Sequence, residues 1–175
     1  MSSEFEPVGA ETRYEGKIFT VREETFRHDD GEESTREIVR HTGAVGVVCH
    51  DGQSLWLVRQ PREAVGEPDL LELPAGKLDV EGETPLECAQ RELAEEIGKS
   101  AGDWRELTSF YTSPGFANER VWLFLATELY DVPSEASDGE RIEVVEIPLD
   151  EIDGAIARCE DAKSLVGLLM LRRLI

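Results

Sequence analysis

Hydrophobic and polar positions along this chain follow two different periods. Between residues 85 and 97, Leu86, Ala89, Leu93 and Ile97 recur at helical spacing and predict one buried stripe. Thr84 is placed to cap that helix, Pro85 suits its first position, and Glu87 sits where a capping-box partner belongs. Gly98 is placed to end it in a left-handed turn.

Elsewhere the pattern is of short apolar runs broken by turn residues. KIFTVREETF (17–26) and ESTREIVRH (33–41) predict two strands joined by HDDGE. GAVGVVCHDGQSLWLVRQ (43–60) predicts a hairpin turning at His50-Asp51-Gly52. LLELPAGKL (70–78) predicts a short strand entering the helix. RELTSFYTSP (105–114) and RVWLFLATEL (120–129) predict strands around the loop GFANE. An acidic loop followed by a strand is expected over 133–149, then helices over 149–157 and 164–175, the last packing on the sheet. Residues 1–15 are expected to fray. Mixed strands with a few helices predict an α/β sandwich, with an N-terminal β segment over 1–42 and a main domain over 43–175.

Charge narrows the function classes. Asp and Glu total 38 against 18 Lys and Arg, a net charge of −20. Such a surface repels nucleic acid and anionic membranes. No run of about 18 apolar residues is present to span a bilayer, and MSSEFEPVGAETRYEG is too polar for a secretory signal. Cys49, Cys88 and Cys159 show no metal spacing and read as free thiols of a reducing, cytoplasmic compartment. Only Lys17, Lys77, Lys99 and Lys163 are lysine, so the surface is that of either a salt-adapted (halophilic) protein or an ordinary acidic one.

Chemistry enters with the helix. At about 100° per residue, Glu92 and Glu96 stack on one flank, and Glu95 lies further from the buried stripe. Three carboxylates on one helix repel each other unless cations offset them. Hard oxygen ligands select Mg²⁺ or Mn²⁺ over zinc. Arg91 is the nearest cation on the helix and could orient a neighbouring carboxylate. Taken alone, Glu95-Glu96 would read as a solvated acidic face.

The full stretch AGKLDVEGETPLECAQRELAEEIG, with Gly76, Glu83, Arg91, Glu92, Glu95, Glu96 and Gly98 in order, resembles the signature of the Nudix hydrolases. It departs from that pattern in having six residues between Gly76 and Glu83, where five are usual, and Lys99 where an aliphatic residue is usual. The resemblance covers roughly residues 17–175. LVRQPREAVGEPDLLELPAGKLD, YTSPGF and SLVGLLMLRRL resemble the ADP-ribose pyrophosphatase branch.

That resemblance implies the Nudix fold, a mixed sheet between helices. It implies a homodimer that swaps the N-terminal strands, and a nucleoside diphosphate substrate such as ADP-ribose, cut to AMP and ribose 5-phosphate. It makes Ala75 (through its carbonyl), Glu92 and Glu96 metal ligands, with Glu95 sharing the cluster. For the general base it points first to Glu140, which it also makes a further metal contact, then to Glu119, then to Glu95. Arg62 and Arg40 match arginines that reach the diphosphate or its surroundings, though either could be an ion pair in so acidic a chain. Lys77, Ser113, Gly115 and Glu119 match substrate-contacting positions. Phe19 and Glu37 could line an adenine pocket, Phe19 being equally a core candidate. The alternatives are another substrate (an ADP-sugar, NADH or a dinucleoside polyphosphate) or a non-catalytic nucleotide-sensing module. Retention of every box glutamate speaks against the last.

Overall fold

The computed structural model describes residues 4–133 and 141–175. The chain divides into two compact units, residues 1–43 with 111–120, and residues 44–110 with 121–175.

The first unit is a three-stranded antiparallel sheet in the order β1-β2-β3. Its strands are β1 (Phe5–Glu15), β2 (Thr20–His28) and β3 (Glu33–Arg40). β1 corrects the expectation of fraying over Phe5–Glu15. All 11 of its residues are exposed, so no alternation betrays it. It is held by backbone pairing with β2 from Phe5↔His28 to Glu15↔Thr20, and by the Phe5 ring meeting Phe26 edge-on at 5.5 Å. The segment 112–119 joins this unit: Val39 N donates to the Phe116 carbonyl at 2.8 Å, and Asn118 N to the Val39 carbonyl at 3.1 Å.

The second unit is built on β4 (Ala44–His50), β5 (Ser54–Arg62), β6 (Glu67–Glu72), β7 (Ala75–Lys77), β8 (Lys99–Tyr111), β9 (Arg120–Asp131) and β10 (Glu143–Pro148). Its helices are α1 (Pro85–Ile97), α2 (Ile152–Arg158), preceded by a 3₁₀ turn at Leu149–Glu151, and α3 (Ala162–Arg172). The sheet order is β10-β5-β4-β9-β8, with β6 on β5 and β7 on β4. β4 and β9 run parallel and the other registered pairs antiparallel, which makes the sheet mixed.

The α/β sandwich expected from the pattern is what forms. Alternate residues of the central strands feed two cores, one on each face. Val45, Val47, Trp56, Val58 and Phe124 pack with Ala89, Leu93 and Ile97 of α1. Val48, Leu55, Leu57, Leu123 and Leu125 pack with Ile152, Leu168 and Leu171 of α2 and α3. α3 comes so close at Gly167 that a Cβ there would lie 2.6 Å from Leu73 and 2.9 Å from Val48. The stretch 70–78, expected as one strand, is two. β6 pairs with β5, and after Leu73-Pro74 the chain crosses to pair Ala75–Lys77 with β4. That crossing carries Ala75 and Gly76 against α1.

Candidate active site

The local signals at α1 are all realised. Thr84 and Glu87 form the reciprocal capping box, Pro85 opens the helix, and Gly98 closes it at φ 65° with its N–H on the Ala94 carbonyl. The buried stripe is shifted by one contact. Leu86, in the first turn, stays 37% exposed, and Cys88 is buried instead beneath β7, its thiol donating to the Lys77 carbonyl at 3.3 Å. Cys49 and Cys88 are free, and burial pushes both thiols up to about 12, so neither is a ready nucleophile.

The carboxylate flank is organised by Arg91. Its Nε and Nη2 donate to the two oxygens of Glu83 at 2.8 and 3.0 Å. Its Nη1 donates to Glu92 at 2.7 Å and to Glu95 at 3.0 Å. One guanidinium therefore gathers three carboxylates, two from its own helix and one from the preceding loop. Arg91 holds Glu83 well below the usual carboxylate range. Glu83, for which sequence reasoning assigned no role, is the strongest partner of the group.

Glu96 lies one turn on from Glu92, on the same flank. Its Oε2 accepts the Ala75 N–H at 2.9 Å, tying the helix to the start of β7. Gly76 leaves the room for Glu92: a Cβ at Gly76 would fall 1.9 Å from the Glu92 carboxyl carbon. The loop before Glu83 turns at 80–83, where Glu83 N donates to the Val80 carbonyl at 3.2 Å and Gly82 has φ 84°.

Among the described residues no group of three or more His, Cys, Asp or Glu side chains is gathered in ligating geometry. Arg91 stands where their charges meet. The donors themselves fit a hard divalent cation: carboxylates of Glu92, Glu95 and Glu96, with the Ala75 carbonyl at the same strand end and a glycine cradle beside them.

Arg62, on β5, lies in the same unit. It grips Glu72 along one edge, Nε to Oε1 at 2.5 Å and Nη2 to Oε2 at 3.0 Å. Lys163 of α3 bonds the same Glu72 oxygen and also Asp161 at 2.8 Å. Glu72 is 1% exposed. Sequence reasoning missed both Glu72 and Lys163. Glu72 lay unremarked in LLELPAG, and 91 residues separate it from Lys163. Lys77 is exposed and pairs with Asp79 at 3.2 Å.

The remaining candidates belong to the first unit. Arg40 bonds the buried Glu24 through both oxygens, Nε to Oε1 at 2.9 Å, much as Arg62 bonds Glu72. Glu37 is exposed and lies opposite Glu23 in the β2–β3 register. Phe19 is exposed, its ring 5.9 Å from Tyr14, so it is no core residue. Glu119 accepts from the Thr112 hydroxyl at 2.7 Å and lies 3.6 Å from His41, a histidine given no role from sequence. The Ser113 carbonyl closes the turn at 113–117, and Gly115 is exposed within it. A cavity of about 490 Å³ in this unit is lined by Arg40 and Gly115, with Phe26, Arg36, Tyr111 and Phe116 among its walls. Glu140 lies outside the described residues. Trp56 is buried and Trp104 donates its indole N–H to the Ala101 carbonyl, as packing residues do.

Comparison with known proteins bears on the same region. The NUDIX domain family model matches residues 40–166. An ADP-ribose pyrophosphatase of Mycobacterium tuberculosis is 44% identical over 130 residues, 74% of this chain and 62% of that protein. The chain thus matches rather less than two thirds of that relative's length. An ADP-ribose pyrophosphatase of Bacillus subtilis is 40% identical over 153 residues, 86% of this chain and 82% of its own. A crystal structure of an ADP compounds hydrolase superposes with a TM-score of 0.85 at 25% identity, covering 98% of this chain and 94% of that one.

Proposed function

This chain belongs to the NUDIX family, and we propose that it hydrolyses the diphosphate of ADP-ribose to AMP and ribose 5-phosphate, or that of a related ADP-sugar to AMP and the sugar phosphate. The observation that carries the reading is the flank of α1. Glu92 and Glu95 converge with Glu83 on a single arginine, while Glu96 is tied to Ala75, the strand end that would offer a carbonyl. Three acidic groups to one cation is a site short of positive charge. A divalent cation, Mg²⁺ or Mn²⁺, would be held by Glu92, Glu96 and the Ala75 carbonyl, with Glu95 in support. When bound it supplies neutralisation of the diphosphate charge.

In this reading the chain's own groups do the rest. Arg62 and Arg40 meet the anionic substrate, and Lys77, Ser113, Gly115 and Glu119 contact it. Phe19 and Glu37, both exposed on the first unit, offer a ring and a carboxylate to adenine. A general base removes a proton from the attacking water. Glu140 is first choice, then Glu119, then Glu95; a Glu140→Gln chain with near wild-type turnover would remove Glu140 from the role.

The deciding assay incubates the protein with Mg²⁺ and ADP-ribose, ADP-glucose, NADH, diadenosine polyphosphates or 8-oxo-dGTP, and follows AMP or phosphate release. Turnover is expected to be fastest with ADP-ribose or an ADP-sugar. No turnover of any diphosphate, in low or high salt, sinks the hydrolase reading, and turnover led by a triphosphate moves the chain to another branch.

A homodimer in the cytoplasm completes the proposal. Exposed Phe5, Tyr14, Ile18 and Phe19 on the first unit support association through the N-terminal strands. A monomer by light scattering at micromolar concentration would argue against it. Charge of −20 supports adaptation to concentrated salt. The melting temperature should then rise from dilute buffer to molar KCl, and an unchanged value would count against that adaptation.

A further inference from the structure

Glu72 is the most thoroughly buried carboxylate among the described residues, and two cations share it. A carboxylate at that depth is stable only when paired. One arginine would suffice. The second cation, Lys163, is itself only 15% exposed and comes from the first turn of α3.

The geometry of the arginine matters more than its charge. Arg62 uses its Nε and Nη2 edge on Glu72. That edge-on bidentate grip fixes the plane of the guanidinium. Among the described residues neither hydrogen of Nη1, nor the second of Nη2, has a partner, on a side chain still 41% exposed. Those donors form the fork that suits two phosphate oxygens. Glu96 on α1 also acts on Arg62: after Glu72, its charge is among those that raise the guanidinium above its ordinary value. Arg62 thus stands within electrostatic reach of the glutamate helix.

Lys163 is anchored as firmly. It bonds Asp161, the N-cap of α3, at 2.8 Å. Ser164, fully buried, donates its hydroxyl to Asp161 and accepts the Leu73 N–H at 2.7 Å. The start of α3 therefore clamps Glu72 and Leu73, the last residues before the chain crosses to Ala75.

We propose that Glu72 and Lys163 are positioning residues, which hold Arg62 by its inner edge so that its outer donors bind the substrate diphosphate. The proposal rests on the hydrolase reading above for the identity of the ligand. Lys163 acts on charge as well as geometry. By sharing the Glu72 carboxylate it leaves Arg62 less than fully neutralised, and so a stronger attractor of phosphate. Without Lys163, the arginine's charge is taken up by Glu72 alone.

The test is a double-mutant cycle on the full chain with Mg²⁺ and ADP-ribose, comparing wild type, Lys163→Met, Arg62→Met and the double variant. Lys163→Met leaves Glu72 one partner and should fold; a melting curve checks this, and Lys163→Gln replaces it if it does not. Lys163→Met should raise KM about tenfold with kcat within about twofold, Lys163→Arg should restore KM, and the double variant should match Arg62→Met alone. An unchanged KM in Lys163→Met overturns the proposal. So do effects that multiply in the double variant, because a purely structural lysine would act independently of Arg62. If wild type does not turn over ADP-ribose, the substrate reading fails by itself. The same cycle is then run on calorimetric binding of inorganic pyrophosphate with Mg²⁺. There Lys163→Met should weaken affinity about tenfold only when Arg62 is present. Equal affinity in wild type and Lys163→Met, or no pyrophosphate binding by either, overturns the positioning role.

Discussion

Two clusters of charge lie in the second unit, and they are built as opposites. Around Arg91, one cation serves three carboxylates, all partly open to water. Around Glu72, one buried carboxylate serves two cations. The first is short of positive charge and is supplied by neighbours on a single helix and its leading loop. The second holds cations in place and is assembled from β5, β6 and α3. The contrast teaches that acidity at a site and stability at a site are separate matters. A partly open carboxylate flank persists because Arg91 and the adjoining water offset its repulsion and a bound cation can relieve it. A buried carboxylate persists only by having its partners delivered to it.

The largest effects are expected at the first cluster. Glu92→Gln or Glu96→Gln should cost roughly 100-fold or more in kcat while leaving the melting temperature level or slightly raised, since like-charge repulsion falls. Gly76→Ala should approach the same loss by displacing Glu92 sterically. AMP release and thermal melts together test both; a variant that melts early but turns over normally would reverse the assignment.

The second cluster should respond in the other currency, stability. Glu72→Gln strands two cations in a buried site and should cost about 3 kcal/mol of unfolding free energy, read from urea titration. Glu95→Gln, at the partly exposed flank, should change stability by less than about 1 kcal/mol. Equal costs for the two would mean that the buried and the partly open carboxylates are held alike.

The smallest effect sharpens the boundary between them. Glu83 is held below its ordinary value by Arg91, so its stabilising contribution is present above the unfolded-state value of 4.5 and is lost as pH falls through the lower folded value. Wild type should therefore lose stability below about pH 4.5 more steeply than Glu83→Gln. Parallel acid limbs in melts from pH 7 to 3 would show that Arg91 does not discriminate between the charged and neutral acid.

Much of the first cluster was legible in the chain. Thr84, Glu87 and Gly98 sit at positions that local backbone rules dictate, and the 3.6-residue period places Glu92 and Glu96 on a shared flank whatever the rest of the molecule does. The Arg91–Glu95 pair is likewise a local matter of one helical turn. Leu86 shows the limit of such reasoning, because periodicity names the face of a helix but not how far the core extends along it. β1 shows another limit. A strand with no buried face leaves no alternation to detect, and only its pairing with β2 reveals it.

By itself, then, the sequence determined the helix, its caps, its acidic flank and the sandwich class, since each follows from residues within a few positions of one another. Only the tertiary structure decided what Arg62, Glu72 and Lys163 are to each other. Their meeting depends on β6 pairing with β5 and on α3 packing over the sheet at Gly167. Contacts between residues ten and 91 positions apart are set by the order of strands and the closeness of layers, which no local periodicity encodes.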